Sequence, residues 1–238
     1  MCKDHTKHNN TLIDDTTDVI SDKITQRIRD AGVTFRANDN IASFINPGEL
    51  QLLKQEVSKK MYGVLQSLVI DIENDHNTRE TADRVAKMFI FELFSGRYEK
   101  IPATTNFPNI GYDDLYTTGP ITIRSTCAHH LVPIVGKCWV GILPVDNVIG
   151  LSKFNRIVNW IASRPQIQEE MTSQIADALE KYAETPNVAV VIKAEHMCLT
   201  HRGVKEHESD MTTSIMRGDF RVNSSLKTEF FNLIDLKK

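Results

Sequence analysis

Ser125-Thr126-Cys127-Ala128-His129-His130-Leu131-Val132-Pro133 lies between two stretches of alternating apolar residues, and Glu195-His196-Met197-Cys198 ends a third. Alternation is the period of a half-buried strand, so the pattern predicts a sheet. Upstream of the turn, Ile121, Ile123 and Ser125 alternate with Thr122, Arg124 and Thr126, and the downstream partner runs from about Lys137 to Leu143. The third strand covers Asn187 to Ala194, with Val188, Val190 and Ile192 in phase. A hairpin turn thus carries Cys127, His129 and His130, and a distant strand delivers His196 and Cys198. Cys127 and His130 can close on one ion from a turn, and Cys198 completes a mixed sulfur and nitrogen set that suits zinc. Three protein ligands leave a fourth position open, as a catalytic zinc requires for water. His129 and His196 remain for moving protons. A plainer reading, with buried cysteines and histidines satisfied by backbone partners, stays open on spacing alone.

The helical stretches alternate with this sheet. Ile24 and Ile28 before Ala31-Gly32 predict a short amphipathic helix. Leu53, Val57, Met61, Val64, Leu65 and Leu68 form an apolar stripe over about Glu49 to Ile72. A second helix has Thr81 as N-cap, Arg84 in its first turn, and Val85, Ala86, Phe89 and Leu93 on one face. Residues 97 to 119 read as an irregular excursion with a short extended piece. Ser152 is the expected cap of a helix with Phe154, Ile157, Val158 and Ile161 inward, leaving Lys153 and Arg156 near its anion-favouring start. Pro165 is expected to open the next helix, whose Met171, Ile175 and Leu179 face inward and whose Glu169 does not. Extended residues running to Phe220 and a last helix with Phe230, Phe231 and Ile234 close the pattern. The segment up to about residue 20, with His5 and His8, is polar and expected to fray.

A chain of 238 residues can bury a full core in one generous domain. Its formal net charge of -3 gives no reason to expect nucleic acid, and no apolar run is long enough for a membrane span or a secretory signal. Cys2, Cys127, Cys138 and Cys198 are not spaced as a disulfide scaffold, which predicts a reducing, cytoplasmic compartment. Cys138, in phase with Val140 and Ile142, reads as a small core residue. Neither a Gly-x-Gly-x-x-Gly after a strand nor a Gly-Lys-Ser/Thr phosphate loop is present.

Several stretches taken together resemble the GTP cyclohydrolase I family. They are Ser125 to His130, Gly136-Lys137, Val148 to Val158, Arg164-Pro165-Gln166-Ile167-Gln168-Glu169, His196-Met197-Cys198, Arg202-Gly203-Val204, Thr212-Thr213-Ser214 and Arg217-Gly218-Asp219-Phe220. The resemblance covers roughly residues 50 to 235. It implies an α+β tunnelling fold, with antiparallel strand pairs flanking a helix pair and N-terminal helices, assembling into an oligomeric barrel. The expected assembly is a homodecamer of two pentameric rings with active sites between subunits. The expected division is a polar arm with a short helix at 1–46, a helical region and connection at 47–118, and a catalytic region at 119–238, with 47–238 forming one compact domain.

By the same resemblance, Cys127, His130 and Cys198 match zinc ligands, and His129 and His196 match the catalytic histidines. Glu169, with Gln168 beside it, matches the guanine anchor. Lys153, Arg156, Arg202 and Arg84 match triphosphate contacts, with Ser152 near the phosphates. The implied reaction opens the imidazole ring of GTP with a zinc-acidified water and releases formate. An Amadori rearrangement and ring closure then give 7,8-dihydroneopterin triphosphate. This chain departs from the family pattern at Ala128, where the family usually has glutamate, and at Ala82, where proline is common. All inferred ligands and both histidines are kept, so activity is expected to persist. Two alternatives compete with it: another tunnelling-fold pterin or deazaguanine enzyme, and a zinc-stabilised nucleotide-binding scaffold that has lost catalysis.

Overall fold

The computed structural model describes residues 19–103 and 105–234, so the expectations for the polar N-terminal segment, His5 and His8 lie outside the described residues. Helix α1 (Ile20–Asp30) buries Ile24 and Ile28, and Gly32 follows it with a left-handed φ of 65°. Helix α2 (Glu49–Ser67) packs against α1. It stops short of the expected Ile72, because Val69 turns left-handed and the Ile70 N–H bonds back to the Leu65 carbonyl. The apolar residues beyond it fold over, and Ile72 is buried with Leu65 and Ala82 instead of continuing the stripe.

Helix α3 (Thr81–Lys87) runs into a π-helical turn at Met88–Leu93 and then into α4 (Ser95–Tyr98). Thr81 is the first helical residue and caps nothing with its side chain; Glu80 occupies the cap position. The wide turn re-phases the face, so Ala82, Ala86 and Ile90 are the buried residues, in place of the stripe expected through Phe89 and Leu93.

Strands β1 (Asn106–Pro108) and β4 (Asn147–Ile149) form a small antiparallel pair, of which the sequence indicated at most one extended piece. Strands β2 (Tyr116–Cys127) and β3 (Pro133–Ile142) make the expected hairpin, with Thr126 opposite Pro133 at its turn. Helix α5 (Leu151–Ala162) starts after a Gly150 cap, with Ser152 already inside it, because the Lys153 N–H bonds to the Gly150 carbonyl. Pro165 does not open a helix. Pro165–Gln166 is a short strand, β5, parallel to the end of β2, and the Gln166 carbonyl accepts from the Ala128 N–H. Helix α6 (Gln168–Tyr182) begins only afterwards.

Strand β6 (Val188–His196) pairs with β3, and β7 (Met211–Met216) pairs with β6, giving the order β5-β2-β3-β6-β7. Short helices α7 (Met197–Thr200) and α8 (Asp219–Val222) and the longer α9 (Ser224–Ile234) complete the described chain.

The result is a half-barrel sheet covered by helices. On one face Ile123, Ile134, Val140, Val190 and Ile192 pack against Phe154, Ile157, Met171 and Ile175 of α5 and α6. Each such fully buried aliphatic side chain contributes about 1.5–3 kcal/mol. Cys138 lies in this core, fully buried, and burial pushes its thiol far up. On the other face Trp139 and Val191 meet Phe220 and Phe230. The core therefore holds both ends of the hairpin turn and the end of β6 in fixed relation.

Candidate active site

Cys127 is buried at the last position of β2, and the turn after it is closed twice. The Cys127 N–H donates to the Val132 carbonyl and the Leu131 N–H to the Cys127 carbonyl, both near 2.8–2.9 Å. Leu131 adopts a left-handed φ of 55°, a strained conformation for a bulky side chain. That tight reversal turns His130 back toward Cys127. Cys198, on α7, arrives directly from β6.

The ligand atoms of Cys127, His130 and Cys198 all lie within 4.8 Å of one another. The thiols are free. Burial, and then the Cys127 thiol beside it, raise the Cys198 thiol above its ordinary value, with Arg202 opposing. Two such thiols and an imidazole form the soft and borderline donor set that zinc takes, and three protein donors are the number a catalytic zinc site uses. These three residues fit the ion that the sequence implied.

The two further histidines flank this cluster. His129 Nδ1 is 4.0 Å from the Cys127 sulfur, and its ring meets that of His130 edge to face with centroids 6.3 Å apart. His196 ends β6, and its Nε2 lies 2.7 Å from the Gln168 side-chain oxygen. Burial lowers the His196 pKa, with the Glu169 carboxylate acting against it. Glu169 is exposed in the first turn of α6, so its charge stands near the site and is available to a ligand. Arg202 Nη1 donates to His130 Nε2 at 3.1 Å, which puts one candidate phosphate contact directly against the cluster.

The remaining cations do not touch the cluster within the subunit. Lys153 donates to the Ala103 carbonyl at 2.9 Å, while Ser152 and Arg156 are exposed on α5. Arg84 is exposed on α3 and paired with Glu80 at 2.6 Å. Sequence reasoning passed over the supports. Gln166 ties β5 to the metal turn through its backbone, and its side-chain oxygen accepts from Asn38 at 3.2 Å. Thr172 and Thr213 meet at 2.7 Å beside Gln168. Gln166 and Thr213 lie in the quoted motifs without a role assigned to them, and Thr172, one helical turn after Gln168, has only its spacing as a signal.

A half-barrel sheet that brings a Cys–His–Cys cage and two flanking histidines to one end defines a zinc-dependent hydrolytic enzyme. The profile of one family, described as GTP cyclohydrolase I, matches residues 57–235. GTP cyclohydrolase 1 of Shewanella loihica is 41% identical over 181 residues, covering 75% of this chain and 84% of that protein. Its counterpart in Yersinia enterocolitica is 42% identical over 183 residues, covering 76% and 83%. That of Flavobacterium johnsoniae is 41% identical over 184 residues, covering 76% and 82%. The chain belongs to the GTP cyclohydrolase I family.

Proposed function

We propose that this chain converts GTP and water to 7,8-dihydroneopterin triphosphate and formate. The observation that carries the reading is the Cys127–His130–Cys198 cluster with His129 and His196 beside it, in a chain of this family. Zinc held by those three residues supplies Lewis acidity and an acidified water near neutral pH. Every other role falls to the protein.

Glu169 accepts from the ring N–H and amino group of guanine, which fixes the purine by a bidentate, charge-assisted contact. Arg202, Lys153, Arg156 and Arg84 neutralise the triphosphate, helped by Ser152 at the start of α5. Arg84 and Arg156 are exposed, so both side chains are available to the triphosphate, in the same subunit or in a neighbouring one. With the base so held, C8 faces the metal turn. His129 and His196 protonate the imidazole nitrogens as water adds at C8 and the C8–N9 bond breaks. A second water releases formate. The freed amine then condenses with the rearranged ribose carbonyl and returns one water, so one water is consumed overall.

The same reading places the enzyme in a reducing cytoplasm, in a decamer of two pentameric rings, with 47–238 as the compact domain and 1–46 as an arm whose helix α1 packs on α2. Its support is the free thiols, which suit a reducing compartment, and the open sheet edges, which suit an assembly. The deciding experiment is an assay of the zinc-loaded protein with GTP, measuring formate and, after oxidation and phosphatase treatment, fluorescent pterin. Both products are expected despite Ala128. GTP binding with neither product would overturn the reading in favour of a nucleotide-binding scaffold.

A further inference from the structure

Gln168 is fully buried, and its side-chain amide is engaged entirely within the protein. Its Nε2 lies 3.2 Å from the Ile192 carbonyl, 2.9 Å from the Met211 carbonyl and 3.1 Å from Thr213 Oγ1. Two N–H groups facing three oxygens fix the orientation of the amide, because a flipped amide would set oxygen against two carbonyl oxygens. The threonines reinforce this. Thr172 Oγ1 donates to the Gln168 backbone carbonyl at 2.7 Å, so in the 2.7 Å contact between the hydroxyls Thr213 is the donor. Thr213 therefore has only lone pairs left to offer Gln168, and those require the amide nitrogen there.

Gln168 Oε1 then faces His196 Nε2 at 2.7 Å, and an oxygen with no hydrogen needs a donor. From this closed set of bonds we infer that Gln168 is a positioning residue, which holds the His196 ring plane and keeps a hydrogen on Nε2 so that Nδ1 alone exchanges protons with the substrate. The Nε2 hydrogen is present in the neutral and the charged ring alike. The inference rests on the ring-opening reading and departs from the expectation that Gln168 joins Glu169 in contacting guanine. It also gives β7 a part in the site, since two of the three anchors of the amide belong to that strand.

The test is Gln168→Met, which removes both halves of the amide at similar volume, with Thr213→Val as a variant that loosens the anchor without touching His196. The readout is solid-state 15N NMR of histidine-labelled, zinc-loaded protein, with His196 assigned by loss of its signal in His196→Asn. The wild type should show a single Nε2–H tautomer, Gln168→Met a mixture and Thr213→Val a partial mixture. The kcat for formate release should fall about 10–100-fold in Gln168→Met, the usual effect of losing an orienting partner, with KM for GTP within about twofold. If Gln168→Met does not fold, Thr213→Val decides by the same spectra. A raised KM with kcat preserved would make Gln168 a substrate contact and overturn the inference, as would a wild-type His196 in the Nδ1–H form. A wild type that releases no formate would instead overturn the ring-opening reading, and the tautomer would still be read from its spectrum.

Discussion

At the scale of single residues, Cys198 is the hinge of the metal argument, because it is the one ligand delivered by a different strand from the hairpin. Cys198→Ala should bring formate release to background and lower the zinc content of the purified protein; full zinc content with normal turnover would remove Cys198 from the ligand set. Glu169→Gln keeps the size and removes the charge. It should raise KM for GTP by about tenfold or more through loss of a charge-assisted bond, with zinc content unchanged. Unaltered GTP kinetics and base selectivity would exclude the anchoring role. The ligands were legible in the sequence because Cys127 and His130 share one turn and Cys198 follows an evident strand. The setting of Gln168 was not, because its partners Ile192, Met211 and Thr213 are remote along the chain and meet it only when β6 and β7 pair beside α6.

At the scale of elements, two attachments invite measurement. Gly96 of α4 lies so close to α5 that an added Cβ would come within 1.8 Å of the Trp160 carbonyl oxygen. Gly96→Ala should therefore cost about 1–3 kcal/mol by overpacking, read as a lowered denaturation midpoint. Helix α1 is joined to α2 by Arg27, which holds both oxygens of Glu49 at 2.6–2.7 Å, and by Ser21, which donates to Glu56. Burial alone would raise both carboxyls, but the side-chain bonds from Arg27 and Asn46 to Glu49, and from Lys60 and Ser21 to Glu56, hold them below the ordinary 4.5. A depressed folded-state pKa stabilises above the unfolded value and is lost as pH falls through the folded one. Amide protection in α1, relative to the intrinsic exchange rate at each pH, should thus fall below about pH 4.5 before protection in β3 and β6 does; simultaneous loss would mean that the helix has no separate attachment. Element types were legible from periodicity. Their ends were not, since the stop after Ser67, the π-helical turn and the short strand at Pro165 are settled by contacts with other elements.

At the scale of the whole molecule, the sheet is a half-barrel with unfinished sides. Among the described residues no strand pairs with the outer side of β7, and β5 covers only the last two residues of β2. Such edges seek a partner, and neighbouring copies of the chain offer one. Light scattering at micromolar concentration should report a mass near ten subunits; a monodisperse monomer with full turnover would exclude shared active sites. What stands beside the edge strands is not legible from pattern alone, because alternation names the faces of a strand and is silent about its neighbours. The unpaired side of β7 also gives the enzyme a history. On the proposed assembly, dilution that frees this strand would slacken the amide it anchors beside His196, and a thin sample should lose rate and regain it when concentrated. Two preparations of one sequence, handled differently, would then disagree in the assay without differing in a single atom.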